Sequence, residues 1–520
     1  MKKILLLCLL LAGIRGMAQE TFPVNGSWDK RPGLYAFTNA TIVVNADQTI
    51  SNGTLLVKDR VIEAVGQGIA IPKGYITVDL KGKYIYPSLV DAFSSYGIAA
   101  ATAGGGANRQ QLQARQVFTT TKPGAYYWNE AIRPETSAKN VFAVDAKRAE
   151  DYKKNGFGTV QSISRDGIAR CTSLVVTLAD ENEHEVILKD QAAAHYSFNK
   201  GSSNNNYPSS LMGSIALLRQ AYYDANWYKN QKSEYNISLD LFNQTQGLPQ
   251  IFEVSDALSV LRADKIGDEF GKQYIFKTDG KEYQRIDAVK ATGGSLIVPL
   301  TFPKAFDVED PNDARNVSLT QLKDWELAPG NPAALEKAGI RFAITATGLE
   351  ASRDFWTNLR TAIERGLSEK QALKSLTTIP AEMLGVSNQV GSLAAGKLAN
   401  FIISSDNLFK KDNVIYENWV EGRQYVVAKM NVNDLRGTYT MKVDGLGDFN
   451  LKIGGSAGAY DANLEHLPDS VKAKANFSRN GDLMSLTFDY KGKTPGTNRL
   501  SGYIANVSPT TFKGEIIQPD

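Results

Sequence analysis

The chain has 520 residues, too many for one compact core, so about two to four domains are expected. Hydrophobic residues make up 42% and charged residues 22%, as in ordinary soluble globular proteins. The net charge of +3 offers no strongly basic surface for nucleic acid or an anionic membrane, so no nucleic-acid partner is expected.

The amino-terminal residues have the pattern of a secretory signal. Two lysines precede an apolar run over residues 4–14, and small residues around Ala18 offer a cleavage site. The run is too short to span a membrane, and no later stretch approaches about 18 apolar residues. We therefore predict a cleaved signal peptide, a periplasmic or secreted location and no transmembrane segment.

Apolar and polar residues then alternate in the manner of short β-strands, from Tyr35 to about residue 80. From about Asn140 to Pro380, short apolar runs alternate with helical patterns, which is typical of a parallel (β/α) barrel. Strand-like runs over 391–403 and 417–426 follow, and they are expected to complete the small sheet that begins the chain. Beyond residue 436 the pattern is that of antiparallel strands alone.

Histidine is scarce. The chain contains three histidines, His184, His195 and His466, and no two of them have the spacing of a metal-ligand pair. Because histidine is the commonest ligand of catalytic transition metals, the sequence is poor in what a zinc-type hydrolytic site needs.

The stretch Gly82–Gly97 resembles the signature that opens the catalytic barrel of the amidohydrolase superfamily, where a Pro-Gly-Leu-Ile-Asp-Ala-like run leads into a His-x-His pair. The helical stretch Ala372–Gly385 and the closing run Val390–Ala399 are similar to later parts of the same family. The resemblance spans roughly residues 33 to 430 and is closest to the imidazolonepropionase-like branch.

The resemblance implies a fold, and with the patterns above it defines the expected domains. The predicted fold class is α/β: a (β/α)8 TIM-like barrel with a discontinuous composite β-domain, plus a C-terminal antiparallel all-β module. The predicted segments are a signal peptide over 1–19, a composite β-domain over 20–88 and 388–434, the barrel over 89–387 and the all-β module over 435–520.

The resemblance also implies where chemistry would take place. Members hold one or two divalent metals, zinc or another, at the carboxyl ends of the barrel strands, and the metal activates water for attack on a C–N or ester carbon. Carried over to this chain, the ligand positions hold residues of other types: Phe93, Ser95, Val254, Thr278 and Thr347. We therefore predict no catalytic residue, no metal ligand and no cofactor for this chain.

Two other sets of side chains near the barrel mouth leave alternatives open. Four carboxylates near strand ends are able to form an oxygen-rich magnesium or calcium site, although such residues more commonly cap helices or face solvent; they are Glu253, Asp256, Asp279 and Glu282. His195 lies in an apolar stretch and is expected to be packed and hydrogen bonded rather than catalytic. A group of aromatic residues is either core or a surface for sugars and peptides; it comprises Tyr196, Phe198, Tyr207, Tyr222, Tyr223, Trp227 and Tyr228.

These observations support three functional hypotheses. The first is an exported amidohydrolase-like protein without hydrolase activity, acting as a scaffold or interaction unit, or as the inactive half of a tandem amidohydrolase. Its partner would be a second amidohydrolase half or another envelope protein, and the end of the chain at Asp520, just after a predicted strand, is expected of a chain that continues. The second is an active C–N hydrolase with an atypical metal site, and the third is a peptide or glycan binder.

Overall fold

A computed structural model describes residues 33–99, 117–120, 122–230, 234–430, 435–456, 459–468, 470–480, 483–489, 497–504 and 512–517. The predicted signal peptide, residues 1–19, lies outside these ranges. Within them, no helix combines the length and the apolar character needed to cross a membrane.

The strands, in chain order, are β1 Leu34–Asn45, β2 Gln48–Lys58, β3 Val61–Gly66, β4 Ile76–Asp79, β5 Tyr84–Pro87, β6 Leu89–Ser94, β7 Phe157–Ser162, β8 Ala169–Thr172, β9 Leu174–Thr177, β10 Ile187–Lys189, β11 Ala194–Ser197, β12 Gln250–Glu253, β13 Tyr274–Lys277, β14 Leu296–Pro299, β15 Phe342–Thr345, β16 Phe401–Ser404, β17 Ile415–Val420, β18 Arg423–Val426, β19 Gly437–Val443, β20 Gly447–Ser456, β21 Ala459–His466, β22 Lys472–Asn480, β23 Leu483–Asp489, β24 Thr497–Ile504 and β25 Phe512–Ile517.

The helices are α1 Ala146–Lys154, α2 Glu183–Val186, α3 Leu211–Asn230, α4 Ile237–Gln244, α5 Ala257–Phe270, α6 Ile286–Ala291, α7 Pro311–Ala314, α8 Leu319–Leu327, α9 Asn331–Ala338, α10 Asp354–Glu364, α11 Glu369–Leu376 and α12 Thr378–Met383. Short 3₁₀ helices cover Ala138–Asn140, Thr245–Gly247, Glu282–Arg285 and Ala328–Gly330.

Strands from the two ends of the first 430 residues share one sheet. Its eight strands have the order β18-β17-β16-β5-β1-β2-β3, and β4 also pairs with β1. Aromatic rings form much of its core: Phe37 and Phe401 meet edge to face at 5.1 Å, and Trp419 stacks on Phe401 at 5.4 Å. Such pairs are stabilising beyond the area that they bury, so distant parts of the chain are held in one layer.

Residues 89–345 form two further sheets. Strands β11 to β15 run parallel to one another, and so do β6 and β7. The sheets meet where the hydroxyl of Thr345, at the end of β15, donates to the carbonyl of Phe93 in β6 at 2.9 Å. Helices such as α5 connect these strands; α5 begins at the cap Asp256 and ends at Gly271, whose φ of 64° suits glycine. The result is a barrel-like α/β domain.

One part of this domain departs from an all-parallel barrel. The segment with β8 and β9 runs antiparallel to both of its neighbours, since β9 pairs with β7 and β8 pairs with β11 in that sense. The predicted parallel succession is therefore incorrect at this position. The chain reverses within residues 163–168, where Gly167 has a φ of 100° that suits glycine.

The carboxyl-terminal residues form the predicted antiparallel module. Strands β19 to β25 pair in sequence order to form a seven-stranded sheet. Buried and exposed side chains alternate along its strands, as the period of two requires. The buried side chains include Phe449, Leu451, Leu486 and Phe488.

Candidate functional site

Three adjacent strands of the barrel-like domain end at one large cavity. Ser197, Glu253 and Lys277 are the last residues of β11, β12 and β13, and they are aligned in register. All three line a cavity of about 1130 Å³. The carboxyl ends of parallel strands are where α/β domains generally place their functional groups, because the connecting loops leave a crevice there. This cavity is therefore the candidate site.

Two arginines reach the cavity from the antiparallel hairpin. Arg165 precedes the Asp166-Gly167 turn, and Arg170 lies near the start of β8. Because β8 runs against the parallel strands, its beginning lies beside their carboxyl ends. Both arginines consequently line the same cavity as Glu253.

Glu253 is the centre of an ion-pair cluster. Its two carboxylate oxygens bind the guanidinium groups of Arg165 and Arg170, and the side chain of Arg170 is only 4% exposed. Burial raises the pKa of Glu253, but the two arginines outweigh this effect and lower the pKa to about 2. Glu253 is therefore an anion at neutral pH, and its charge is fully engaged by the arginines.

Lys277 is buried next to this cluster. It is 9% exposed, and its ammonium lies 5.8 Å from the centre of the Phe93 ring. Arg165 lies over the same ring at 5.7 Å. Burial lowers the pKa of Lys277, and Glu253 acts in the opposite direction. Two cationic groups that line the cavity thus lie over the buried Phe93 ring.

The five family ligand positions have different surroundings. Ser95 and Val254 line the cavity, whereas Phe93 is fully buried and accepts a hydrogen bond at its carbonyl from the Thr347 hydroxyl. Thr278 is also buried, and its backbone N–H donates to Ile297 at 3.0 Å. On β13 it is Lys277, one residue earlier, that faces the cavity. Four of the five positions thus lie at or beside the site, while Thr278 pairs with the neighbouring strand.

Asp91, in the opening signature, joins the first and last strands of the barrel-like domain. It is fully buried and accepts hydrogen bonds from the backbone N–H groups of Phe93 at 3.0 Å and Ala346 at 3.1 Å. Burial raises its pKa to about 6, although the hydrogen bond from Thr345 lowers it in part. Asp91 is therefore a structural carboxyl group behind the site.

His195 is packed and hydrogen bonded, as the sequence predicts. Its Nε2 atom lies 2.9 Å from the Ser173 hydroxyl and 3.3 Å from the Gln161 amide nitrogen. Burial, and then the charge of Arg170, lower its pKa to about 3. The ring is therefore neutral at physiological pH, and it does not line the cavity.

The neutral state of His195 predicts a pH dependence. Its stabilising contribution is complete above pH 6.5, the ordinary pKa, and is lost as the pH falls towards 3, because only the unfolded chain then takes up the proton. We expect His195→Gln to reduce the loss of thermal stability between pH 7.5 and pH 5.5 by about 1.4 kcal/mol. Thermal unfolding at both pH values measures this. The exposed His184, as His184→Gln, is the control, and an unchanged pH dependence in His195→Gln would contradict the assignment.

The four carboxylates considered for a magnesium or calcium site have separate roles. Glu253 pairs with arginines, and Asp256 caps α5 by accepting from the Ser259 N–H at 2.7 Å. Glu282 accepts from Asn331 at 2.6 Å and is buried. Asp279 lines the cavity, and burial together with Glu282 raises its pKa to about 6. These residues do not form one ligand set.

The aromatic group divides between the core and the surface. Tyr196, Tyr222 and Tyr228 are buried, and the hydroxyl groups of Tyr222 and Tyr274 lie 2.7 Å apart. Tyr223 and Trp227 are exposed on α3, and Phe198 lines the cavity. Phe198 is therefore the member of this group that faces the candidate site.

The residues at the site do not fit a divalent metal. Within the described ranges, no cluster of three or more His, Cys, Asp or Glu residues is placed to bind one ion. Glu253, the carboxylate nearest the strand ends, has both oxygens bound by arginines, and Lys277 adds a third positive charge beside it. A divalent cation would meet repulsion here instead of ligands.

Inspection of the sequence for family ligands missed Arg165, Arg170 and Lys277. A signal for the two arginines was present, since they flank an Asp-Gly pair between two apolar runs, which is typical of a β-hairpin. For Lys277 the signal was weaker: a lysine that ends an apolar strand is indistinguishable from a solvated one in the sequence alone.

Comparison with known proteins gives a family match for one segment and a fold for most of the chain. Residues 327–430 match the model described as the Amidohydrolase family. The crystal structure of an amidohydrolase from Thermotoga maritima MSB8 is similar with a TM-score of 0.58 and 22% identity, over 75% of this chain and 99% of that one. A Xaa-Pro dipeptidase with bound methionine is more distant, with a TM-score of 0.44 and 14% identity over 76% of this chain and 100% of its own. No curated protein matches the sequence.

The matched segment begins before β15 and extends to the end of β18, so it includes the last barrel strand and the strands that complete the composite sheet. The similarity to the Thermotoga protein covers 75% of this chain, so the fold that the two share extends well beyond the matched segment. Residues 327–430 thus match the Amidohydrolase family, and the chain has a fold similar to that of an amidohydrolase.

Proposed function

We propose that this chain is an amidohydrolase-fold protein whose own barrel has lost metal-dependent hydrolysis. The observation that supports this most directly is the ion-pair cluster of Glu253 with Arg165 and Arg170, next to Lys277, at the strand ends where members of the superfamily hold their metal. Phe93 and Ser95, in place of the His-x-His pair, support the same proposal.

The proposed role is that of a scaffold or interaction unit outside the cytoplasm, with a second amidohydrolase half or another envelope protein as partner. The amino-terminal sequence, with Lys2 and Lys3 before an apolar run, supports export. The extended seven-stranded sheet formed by residues 437–517 adds a surface through which such a protein can contact others.

Metal content and turnover test the proposal together. The full chain is purified without chelator, and zinc, manganese and iron are measured by elemental mass spectrometry. The same preparation is then assayed on amide and imide substrates, before and after incubation with each metal. We expect much less than one metal ion per chain and no turnover above buffer, because the strand ends are cationic.

A C–N hydrolase with an atypical site is the alternative that this experiment distinguishes. One tightly held metal per chain together with turnover would overturn the proposal. Turnover that is abolished by Glu253→Gln but unaffected by Glu269→Gln, on the surface, would place the activity in this cavity.

A further inference from the structure

The charges that line the cavity do not balance. Five of its residues are basic, namely Arg148, Arg165, Arg170, Lys200 and Lys277. The acidic residues that line it are Glu253 and Asp279. A concave surface with an excess of one charge concentrates ligands of the opposite charge, because its low-dielectric walls focus the field.

Four of the five basic side chains already have partners. Arg165 and Arg170 bind Glu253. Arg148 donates to the Ser95 carbonyl at 2.9 Å, and Lys200 donates to the Asn205 carbonyl at 2.8 Å.

Lys277 differs from these four. Within the described residues its ammonium forms no ion pair and no hydrogen bond, although the side chain is more than nine-tenths buried and lines the cavity. Glu253, Arg165, Asp279 and Glu282 influence its titration from the neighbouring strands and loops, and among the described contacts none of them forms an ion pair or hydrogen bond with the ammonium. A buried, unpaired charge is costly, and it is usually compensated by an ion of opposite sign.

We propose that the cavity binds a small organic carboxylate, with its carboxylate group on the ammonium of Lys277. The ammonium of Lys277 offers three hydrogen-bond donors to a carboxylate. Phosphate groups are typically bound by bidentate arginines, and the two arginines beside Lys277 are already engaged by Glu253. The cavity of about 1130 Å³ has room for more of the ligand than its carboxylate, and Phe198 and Ile98 provide apolar contacts.

This inference rests on the proposed function, because a ligand can occupy this position only if no metal centre does. Two sources can supply such a carboxylate, a free metabolite and the carboxyl terminus of a short peptide, and the test distinguishes them. Calorimetric titration of the full chain uses succinate, glutamate, trialanine and trialanine amide, with sodium phosphate and sodium sulfate for comparison.

We expect saturable binding of at least one carboxylate, and no binding of trialanine amide. Lys277→Met should weaken that binding at least tenfold, and Lys277→Gln replaces it if the methionine variant does not fold. Lys272→Met, before the opposite end of β13, is the matched control and should bind like the unmodified chain, since its ammonium is directed to the Gln246 carbonyl.

Three results would overturn the inference: no carboxylate binds, phosphate or sulfate binds as tightly as the best carboxylate, or Lys277→Met binds with unchanged affinity. Mass spectrometry of the titrated solutions separates this inference from the proposed function. Conversion of a bound carboxylate ligand would overturn the proposed function and leave the binding site in place, whereas absence of both binding and conversion would overturn the binding site alone.

Discussion

Replacing Glu253 with glutamine is expected to lower the free energy of unfolding by about 3–5 kcal/mol, the usual cost of removing one partner from a buried ion pair. The amide can accept a hydrogen bond, but it cannot neutralise Arg165 and Arg170, and Arg170 is almost completely buried. Lys277, close by, adds to the unfavourable charge that remains. Chemical unfolding at neutral pH, followed by tryptophan fluorescence, measures the change.

The surface pair Arg219–Glu269 is the matched control for this prediction. Arg219 binds both carboxylate oxygens of Glu269 at 2.7 Å, but both side chains are substantially exposed. Glu269→Gln should therefore cost no more than about 1 kcal/mol. Equal losses in Glu253→Gln and Glu269→Gln would show that the cluster at the cavity is no more important for stability than a surface pair.

The second large effect concerns Asp91 and pH. Its pKa in the folded protein, about 6, is above the ordinary value of 3.8, so the folded state binds a proton that the unfolded chain has released. The stabilising contribution is complete below pH 3.8 and is lost as the pH rises through 6. The loss is on the order of 3 kcal/mol. Asp91→Asn cannot ionise, and we expect it to lack this loss between pH 4 and pH 6.

Unfolding of the original chain and Asp91→Asn at half-unit steps of pH gives the comparison. Asp47→Asn is a suitable control, because Asp47 is exposed and hydrogen bonds from Lys370 and Lys374 lower its pKa. If the difference in stability between the original chain and Asp91→Asn is the same at pH 4 and pH 6, Asp91 is not the buried acid that we describe.

Asp91 and Phe93 explain why the opening signature is present without its histidines. Asp91 accepts hydrogen bonds from both sides of the junction between β6 and β15, so it is required for the fold whether or not a metal is bound. Phe93, at the position that the resemblance assigns to the first ligand, lies beneath Arg165 and Lys277. Fold and chemistry are therefore separable in this stretch.

The sequence predicts most strand positions, but it does not predict the direction of each strand relative to its neighbours. The apolar run Leu174–Leu178 predicts a strand, and the alternation of the surrounding runs with helical patterns predicts that it is parallel to its neighbours. In the structure β9 is antiparallel to β7, since a short hairpin replaces the connecting helix. The alternation of apolar residues shows that a segment is a strand, but it is the same whether the neighbouring strand is parallel or antiparallel.

The sequence also does not show which residue at the end of β13 faces the cavity. A shift of one residue along a strand exchanges its two faces, so Lys277 and Thr278 have opposite environments although they are neighbours. The pairing of β13 with β12 and β14 decides between them.

The sequence by itself determined the division into sheet and barrel-like parts and the scarcity of histidine. Those features depend on local periodicity and on composition, which are read directly from the chain. Only the tertiary structure decided the chemistry of the cavity, because Arg170 and Glu253 are 83 residues apart and meet through the reversed hairpin. Charges interact through space, so the sign of the net charge at a site depends on which strands lie side by side.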